Sequence, residues 1–383
     1  MVEKWSAVIL AGGLGSRLNP LTAKICKPMV PVCNRPMVDY AIDHLRYAGI
    51  KKIIIVVKHL GNELRDLINS TWTKEICENL GIEILIPKVN SMGTADAVRK
   101  VADEITSENF VVSMADIVTN LPMTNFMTYH LKKKAQATVS MKRIEEMATK
   151  YGNTLLDNDG KIIRFLEKPS SQEIYLSALT RRNAQTLPII NTGIYCFNRE
   201  ILDLIKETTF MDFGKEIFPY LLEHQYRLYG FVDDYYWLDV GNPTTYLWSN
   251  WDILRLYGWP ITPPGSQEEK FKWFLEKPPS HLKYNENICI GKNCTFGQNN
   301  YISSLSSIGS NCTFGVNVKV DKSVIWDNVK IGNNVIIEQS VVANGSVIGD
   351  DCVIKSNTII GPHSKIRSKS ELNAKTLQAD SNI

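Results

Sequence analysis

The chain has 383 residues, 44% apolar and 22% charged, the make-up of a folded globular protein with two domains or one large one. A formal net charge of +3 is too small to make nucleic acid its main partner, and no apolar run approaches the ~20 residues of a membrane helix. Eight cysteines without a C-x-x-C spacing speak against zinc ribbons and redox motifs, and for free thiols in a reducing, cytoplasmic setting. Met1 leads directly into a strand and a glycine loop, so a signal peptide is not expected.

The first apolar run, residues 7–10, reads as a strand. It feeds Leu10-Ala11-Gly12-Gly13-Leu14-Gly15-Ser16-Arg17-Leu18, then Pro20-Leu21-Thr22 and Lys27-Pro28. Glycines at a strand end let backbone N–H groups approach a phosphate, because no Cβ intervenes. Arg17 and Lys27 add positive charge for an oxygen-rich anion. Helical patterns follow over 37–48, 63–69 and 94–105, alternating with short apolar or β-branched runs over 51–57, 82–86 and 110–114. Such alternation predicts an α/β domain with a Rossmann-like, mostly parallel sheet and helices on both faces. Ligands of such sheets sit at the carboxyl ends of strands, where Gly12, Gly93 and Asp116 all fall. Asp116 alone reads equally as a metal ligand or as a turn or N-cap carboxylate.

An aromatic helix over 246–259 closes this domain, and Pro260, Pro263, Pro264 and Gly265 open a connector. The texture then changes. Apolar residues recur every six positions at Ile290, Phe296, Ile302, Ile308, Phe314 and Val320. After a five-residue step they resume at Ile325, Ile331 and Ile337, and after another at Val342, Ile348, Ile354, Ile360 and Ile366. Small or β-branched residues stand two places earlier, and glycine often follows at once. This is the hexapeptide repeat of a C-terminal left-handed parallel β-helix of four to five coils, with stacked apolar residues inside and glycines at the corners. Cys294 and Cys312, eighteen residues apart, stack on adjacent coils either as two small core residues or as a disulfide. The expected division is 1–258, a connector 259–283, the β-helix 284–370 and a loosely held tail 371–383.

The pattern at Gly12, Gly13, Gly15, Ser16, Arg17, Leu18, Pro20, Leu21, Thr22, Lys27 and Pro28 resembles the signature of the sugar-nucleotide pyrophosphorylases, which join a sugar 1-phosphate to a nucleoside triphosphate. Further matches come in the family's order: Met92-Gly93-Thr94-Ala95-Asp96-Ala97, Tyr151-Gly152, Phe165-Leu166-Glu167-Lys168-Pro169, Asn191-Thr192-Gly193-Ile194-Tyr195 and Trp237-Leu238-Asp239-Val240-Gly241-Asn242-Pro243. The resemblance implies nucleotide contacts at Leu10, Ala11, Gly12, Gly13, Gly15, Gly93 and Thr94, and catalytic roles for Arg17 and Lys27. It implies sugar-phosphate contacts at Gly152, Glu167, Lys168 and Asn191, and Mg²⁺ on Asp116 and Asp239. Ala115 stands where the family usually has Gly. Asp96 resembles the ADP-glucose enzymes and the gamma subunit of translation initiation factor two-B, whereas Val32-Cys33-Asn34-Arg35-Pro36 and the overall layout resemble the GDP-mannose pyrophosphorylases.

The implied reaction is attack of a sugar 1-phosphate oxygen on the α-phosphorus of a nucleoside triphosphate, with mannose 1-phosphate and GTP the favoured pair. Glucose 1-phosphate with UTP, dTTP or ATP is the alternative. Two other readings stay open: a second, acetyl-transferring activity in the β-helix with His363 as its candidate, and a non-catalytic regulatory subunit. A homo-oligomer formed through the β-helix and catalytic domains is expected, with no nucleic-acid or membrane partner.

Overall fold

The computed structural model describes residues 5–57, 61–143, 153–166, 189–207 and 211–383. They form two compact units. The first takes Met1–Gly12, Ala41–Ala115 and Leu121–Trp237; the second takes Gly13–Tyr40, Asp116–Asn120 and Leu238–Ile383.

The first unit is built on a nine-stranded sheet: β1 (Trp5–Ala11), β2 (Lys52–Val57), β3 (Glu83–Leu85), β4 (Asn109–Met114), β5 (Ala137–Arg143), β6 (Asn153–Leu156), β7 (Ile162–Leu166), β8 (Ile189–Asn198) and β9 (Leu228–Val232). Its main path is β7-β6-β8-β4-β1-β2-β3, with β5 also pairing β8 and β9 pairing β5. The sheet is mixed. β1 runs parallel to β2 and β4, and β2 to β3, whereas β8 runs antiparallel to β4, β5 and β6. The parallel strands are near-continuous apolar runs, such as WSAVILA in β1, because both faces of a parallel sheet are covered. β8 contributes to an aromatic cluster in which its Phe197 stacks on Phe213 at 5.0 Å between ring centres.

In the second unit the β-helix has three ladders of short strands. One runs from Lys272–Phe274 through Ile288–Ile290 to Thr376–Leu377, one from Lys283–Tyr284 to Glu371–Asn373, and one from Thr295–Phe296 to Lys365–Ile366. All pair in parallel, and Ile302, Ile308, Ile325, Ile337, Val342, Ile354 and Ile360 are fully buried inside. Ile290 pairs with Ile308 and Ile308 with Ile325, so the five-residue step removes one corner residue without breaking the ladder.

The corners divide their work between two residues. The left-handed conformation falls on Asn293, Asn299, Asn311, Asn317, Asn328 and Asn334, with φ between 56° and 60°. Asn tolerates that region because its side chain bonds locally. Here it also bonds along the stack, as in Asn293 Nδ2 to Asn311 Oδ1 at 3.1 Å and Asn317 Nδ2 to Asn334 Oδ1 at 2.9 Å. The glycines serve close stacking instead: a Cβ on Gly297 would stand 2.4 Å from the Gly315 carbonyl oxygen.

The ladder also runs past residue 370. Glu371–Asn373 pairs with Val353–Lys355, and Thr376–Leu377 with Ile359–Ile360. The expected loose tail from 371 is thus a further turn of the coil, because Leu372 still takes an inward, buried position. Among the described residues no helix is long and apolar enough to cross a membrane.

Candidate active site

The glycine loop is shaped from within. Gly15 has φ 66°, and a Cβ there would lie 2.9 Å from Thr22 Cγ2 and 3.0 Å from Lys27 Cβ, so only glycine fits both conformation and space. Thr22 Oγ1 donates to the Gly15 carbonyl at 2.8 Å, with Asn19 Oδ1 3.1 Å away, closing the loop over the short 3₁₀ turn Ser16–Leu18. Nothing lies within 4 Å of the Cβ position of Gly13, and Arg17 is exposed. Backbone and guanidinium there are open to a ligand.

Lys27 begins a second 3₁₀ turn, Lys27–Met29. Its side chain is only 7% exposed, and its Nζ lies 2.5 Å from Asp116 Oδ2 and 3.7 Å from Asp239 Oδ1. Asp116 precedes the strand Ile117–Thr119, which pairs with Trp237–Asp239. The Val240 N–H donates to the Asp116 carbonyl at 3.0 Å, so the segments bearing the two carboxylates are tied together by backbone as well. Gly241 leaves space for the second carboxylate, since a Cβ there would stand 3.1 Å from Asp239 Oδ2. Sequence residues 89 and 212 positions apart from Lys27 thus meet at one ammonium.

The donor set fits a divalent hard cation. Both carboxylates already converge on a single positive centre, and both keep part of their surface open, 31% for Asp116 and 19% for Asp239. Mg²⁺ is commonly held by one or two carboxylates, with phosphate oxygens and water completing the shell. Among the described residues no group of three or more His, Cys, Asp or Glu forms an all-protein cage.

In the first unit, Leu10 and Ala11 end β1, buried, with the Leu10 carbonyl accepting from Ala115 N at 3.1 Å; Gly12 follows half-buried. Gly93 opens the helix Thr94–Lys100. Its backbone is extended, but a Cβ would collide with the Met211 carbonyl oxygen at 2.1 Å. The same carbonyl accepts from Ala95 N at 2.9 Å. Thr94 Oγ1 donates to Asp212 Oδ2 at 3.1 Å and accepts from Phe213 N at 3.0 Å. Asp96, which in sequence bears on the choice of base, is 2% exposed and turned inward: its carboxylate accepts from Met92 N at 2.8 Å and pairs with Arg99. Burial raises its pKa, but those hydrogen bonds and the Arg99 charge outweigh it and hold the carboxyl below its ordinary value. Asn191 sits at an irregularity of β8, its Oδ1 accepting from Gly193 N at 2.9 Å and its Nδ2 donating to Tyr195 Oη at 3.1 Å. Gly152, Glu167 and Lys168 lie outside the described residues.

Residues 6–255 match the family model described as nucleotidyl transferase. The chain belongs to that family. Residues 279–372 of this nucleotidyl transferase family member match a second model, the EIF2B subunit epsilon LbH domain. The chain is 30% identical over 264 residues to a UTP--glucose-1-phosphate uridylyltransferase of Synechocystis, covering 65% of this chain and 62% of that one. It is 31% identical over 244 residues to the mannose-1-phosphate guanylyltransferase catalytic subunit beta of Drosophila melanogaster, covering 63% and 60%, and 33% identical over 246 residues to a mannose-1-phosphate guanyltransferase of Yarrowia lipolytica, covering 63% and 61%. The chain therefore spans about three fifths of these relatives.

One supporting residue, Asp212, escaped the sequence reading, and the part played by Thr22 was not visible in it. Asp212 caps the turn that begins at Phe213, with Oδ1 accepting from Gly214 N at 2.9 Å, while its other oxygen holds Thr94. An Asp ahead of a helical run was a readable cap, but its reach to Thr94 was not. Thr22 lies within the matched signature, yet its hold on Gly15 appears only in three dimensions. His363, the candidate for acetyl transfer, is an exposed corner residue with φ 60°.

Proposed function

We propose that this chain transfers a nucleotidyl group from a nucleoside triphosphate to a sugar 1-phosphate, releasing pyrophosphate, with GTP and mannose 1-phosphate as its pair. The observation that carries the reading is the Lys27 ammonium set between the Asp116 and Asp239 carboxylates beside an open glycine loop. A sugar 1-phosphate oxygen forms the new bond to the α-phosphorus in line with the departing β-phosphate oxygen. Two polyanions must meet, so charge compensation and alignment outweigh acid–base chemistry.

The N–H groups around Gly12, Gly13 and Gly15 cradle the triphosphate, and the exposed Arg17 covers the pyrophosphate as its charge develops. Lys27, held by its two carboxylates, directs its ammonium at the α-phosphate. Asp116 and Asp239 would hold Mg²⁺, which when bound supplies Lewis-acid neutralisation of phosphate charge. Gly93 and Thr94 present the base-facing turn. Asn191, with Gly152, Glu167 and Lys168, serves the sugar phosphate.

The mannose and guanine assignment draws on the guanylyltransferase relatives; the Synechocystis relative keeps glucose 1-phosphate with UTP as the competitor. Assembly through the β-helix and catalytic domains belongs to the same reading. So does a reducing, cytoplasmic setting, which eight cysteines without a disulfide favour. The test is pyrophosphate release over a grid of GTP, UTP, dTTP and ATP against mannose 1-phosphate and glucose 1-phosphate. Turnover highest with GTP and mannose 1-phosphate is the expected result. The match to the EIF2B epsilon LbH domain favours a second reading, a non-catalytic subunit; silence across the whole grid would select it.

A further inference from the structure

Lys27 and Asp239 sit on two stretches that are both fastened to the β-helix. Lys27 belongs to the strap Gly13–Tyr40, and Asp239 lies just before the helix Pro243–Leu254, whose Asn242 capping box fixes its start. That helix is bolted to the coils by Trp251 Nε1 donating to the Lys322 carbonyl at 3.1 Å. The strap is held at several points. Cys33 N donates to Asn250 Oδ1 at 2.7 Å, and Asn34 Nδ2 to the Ile308 carbonyl at 2.6 Å. Three residues before Lys27, Lys24 Nζ pairs with Asp380 Oδ2 at 2.9 Å.

One hydroxyl joins all three parts. Tyr246, fully buried on the helix, donates through Oη to the Pro31 carbonyl of the strap at 2.5 Å and accepts from Trp326 Nε1 of the β-helix at 2.8 Å. Burial pushes this phenol above its ordinary range, so it stays protonated and keeps its donor. Losing it would leave the Pro31 carbonyl and the Trp326 indole N–H without that partner inside a packed interface.

We propose that Tyr246 is a positioning residue: through its hydroxyl the β-helix sets the distance between the Lys27 strap and the Asp239 segment. The β-helix is thus part of the machinery that shapes the active site. This rests on the proposed nucleotidyl transfer for its catalytic consequence, but the clamp itself is a property of the fold.

The test is Tyr246→Phe, which keeps the ring and removes only the oxygen, alongside Trp326→Phe and the double variant. Hydrogen–deuterium exchange of the full chain is followed over 13–40 and, as a folding control, over the sheet strands β1, β2 and β4. Exchange over 13–40 should speed up about tenfold in each variant with the sheet unchanged, and the double variant should add little to either single one, since both break one junction. Where the wild type turns over, kcat should fall about tenfold with KM for both substrates within twofold. Unchanged exchange over 13–40 overturns the clamp, and so does unchanged kcat in an active enzyme. If exchange speeds up but the wild type turns over no substrate pair, the clamp stands and the nucleotidyl-transfer reading is what fails.

Discussion

Replacing Lys27 by Met keeps the length and apolar stem of the side chain and deletes only its charge. In the folded chain this leaves the Asp116 and Asp239 carboxylates facing a site from which the ammonium 2.5 Å and 3.7 Å away has gone. Breaking a buried ion pair from one side costs about 3–5 kcal/mol. Asp116 is nearly a third exposed, so solvent screens part of this, and about 2 kcal/mol is the expected loss. The denaturant midpoint of Lys27→Met should fall accordingly. Adding Asp116→Asn should restore part of it, because the second change removes the repulsion the first created. Magnesium should then raise the midpoint of the single variant more than that of the wild type, where the ammonium competes for the same oxygens. Pyrophosphate release should drop about 10²–10³-fold, the scale of losing one charged donor at a reacting phosphoryl group. A variant with wild-type midpoint and wild-type turnover would refute the idea that this ammonium is both the local counter-charge and the aimed cation.

His130 is buried against Trp5 with its pKa lowered to about 4 by desolvation, from an ordinary 6.5. Well above pH 6.5 both folded and unfolded chains carry it neutral. As pH falls from 6.5 towards 4 the unfolded chain takes up a proton that the folded one refuses, so stability drops by up to about 3 kcal/mol. Urea midpoints of His130→Phe, measured from pH 7 to 4.5, should lose that slope; an unchanged slope would contradict it. Gly93→Ala places a methyl group where the Met211 carbonyl oxygen lies 2.1 Å away. It should destabilise by about 1–3 kcal/mol and raise KM for the nucleotide more than for the sugar phosphate; steady-state kinetics on both substrates decides this. Asp96→Asn should lower stability through the Met92 and Arg99 contacts without changing which base is preferred, as read from the same substrate grid.

What could be read in advance followed from periodicity and local chemistry. The six-residue rhythm from Ile290 to Ile366 determines which side chains point inward, so the coil was legible down to individual residues. The strands 51–57 and 110–114 were legible because fully covered parallel strands are uniformly apolar. The convergence of Lys27, Asp116 and Asp239 rested on likeness to known motifs, since nothing local in the three segments announces that they meet. Other features needed the folded chain. The Val32–Pro36 stretch suggested kinship in sequence, yet in the structure Cys33 and Asn34 fasten the strap to the helix Pro243–Leu254 and to the coils. Asp96 marked a resemblance to the ADP-glucose enzymes in sequence, and in the structure its carboxylate bonds its own neighbours. The corner glycines suggested turn conformation, whereas the asparagines two places on adopt it. For the Val32–Pro36 stretch and the corner asparagines the deciding partner is distant in sequence or on the next coil, where a window of local pattern does not reach; for Asp96 the partners are near in sequence, and it is the inward turn of the carboxylate that only the folded chain shows.

The central claim is that Asp116 and Asp239 form one cation site, and Mn²⁺ as a spin probe tests it directly. Electron paramagnetic resonance of the full chain with GTP should show one tightly held Mn²⁺ per chain, with affinity falling at least tenfold in Asp116→Asn and again in Asp239→Asn. Wild-type Mn²⁺ affinity in both variants would contradict the account.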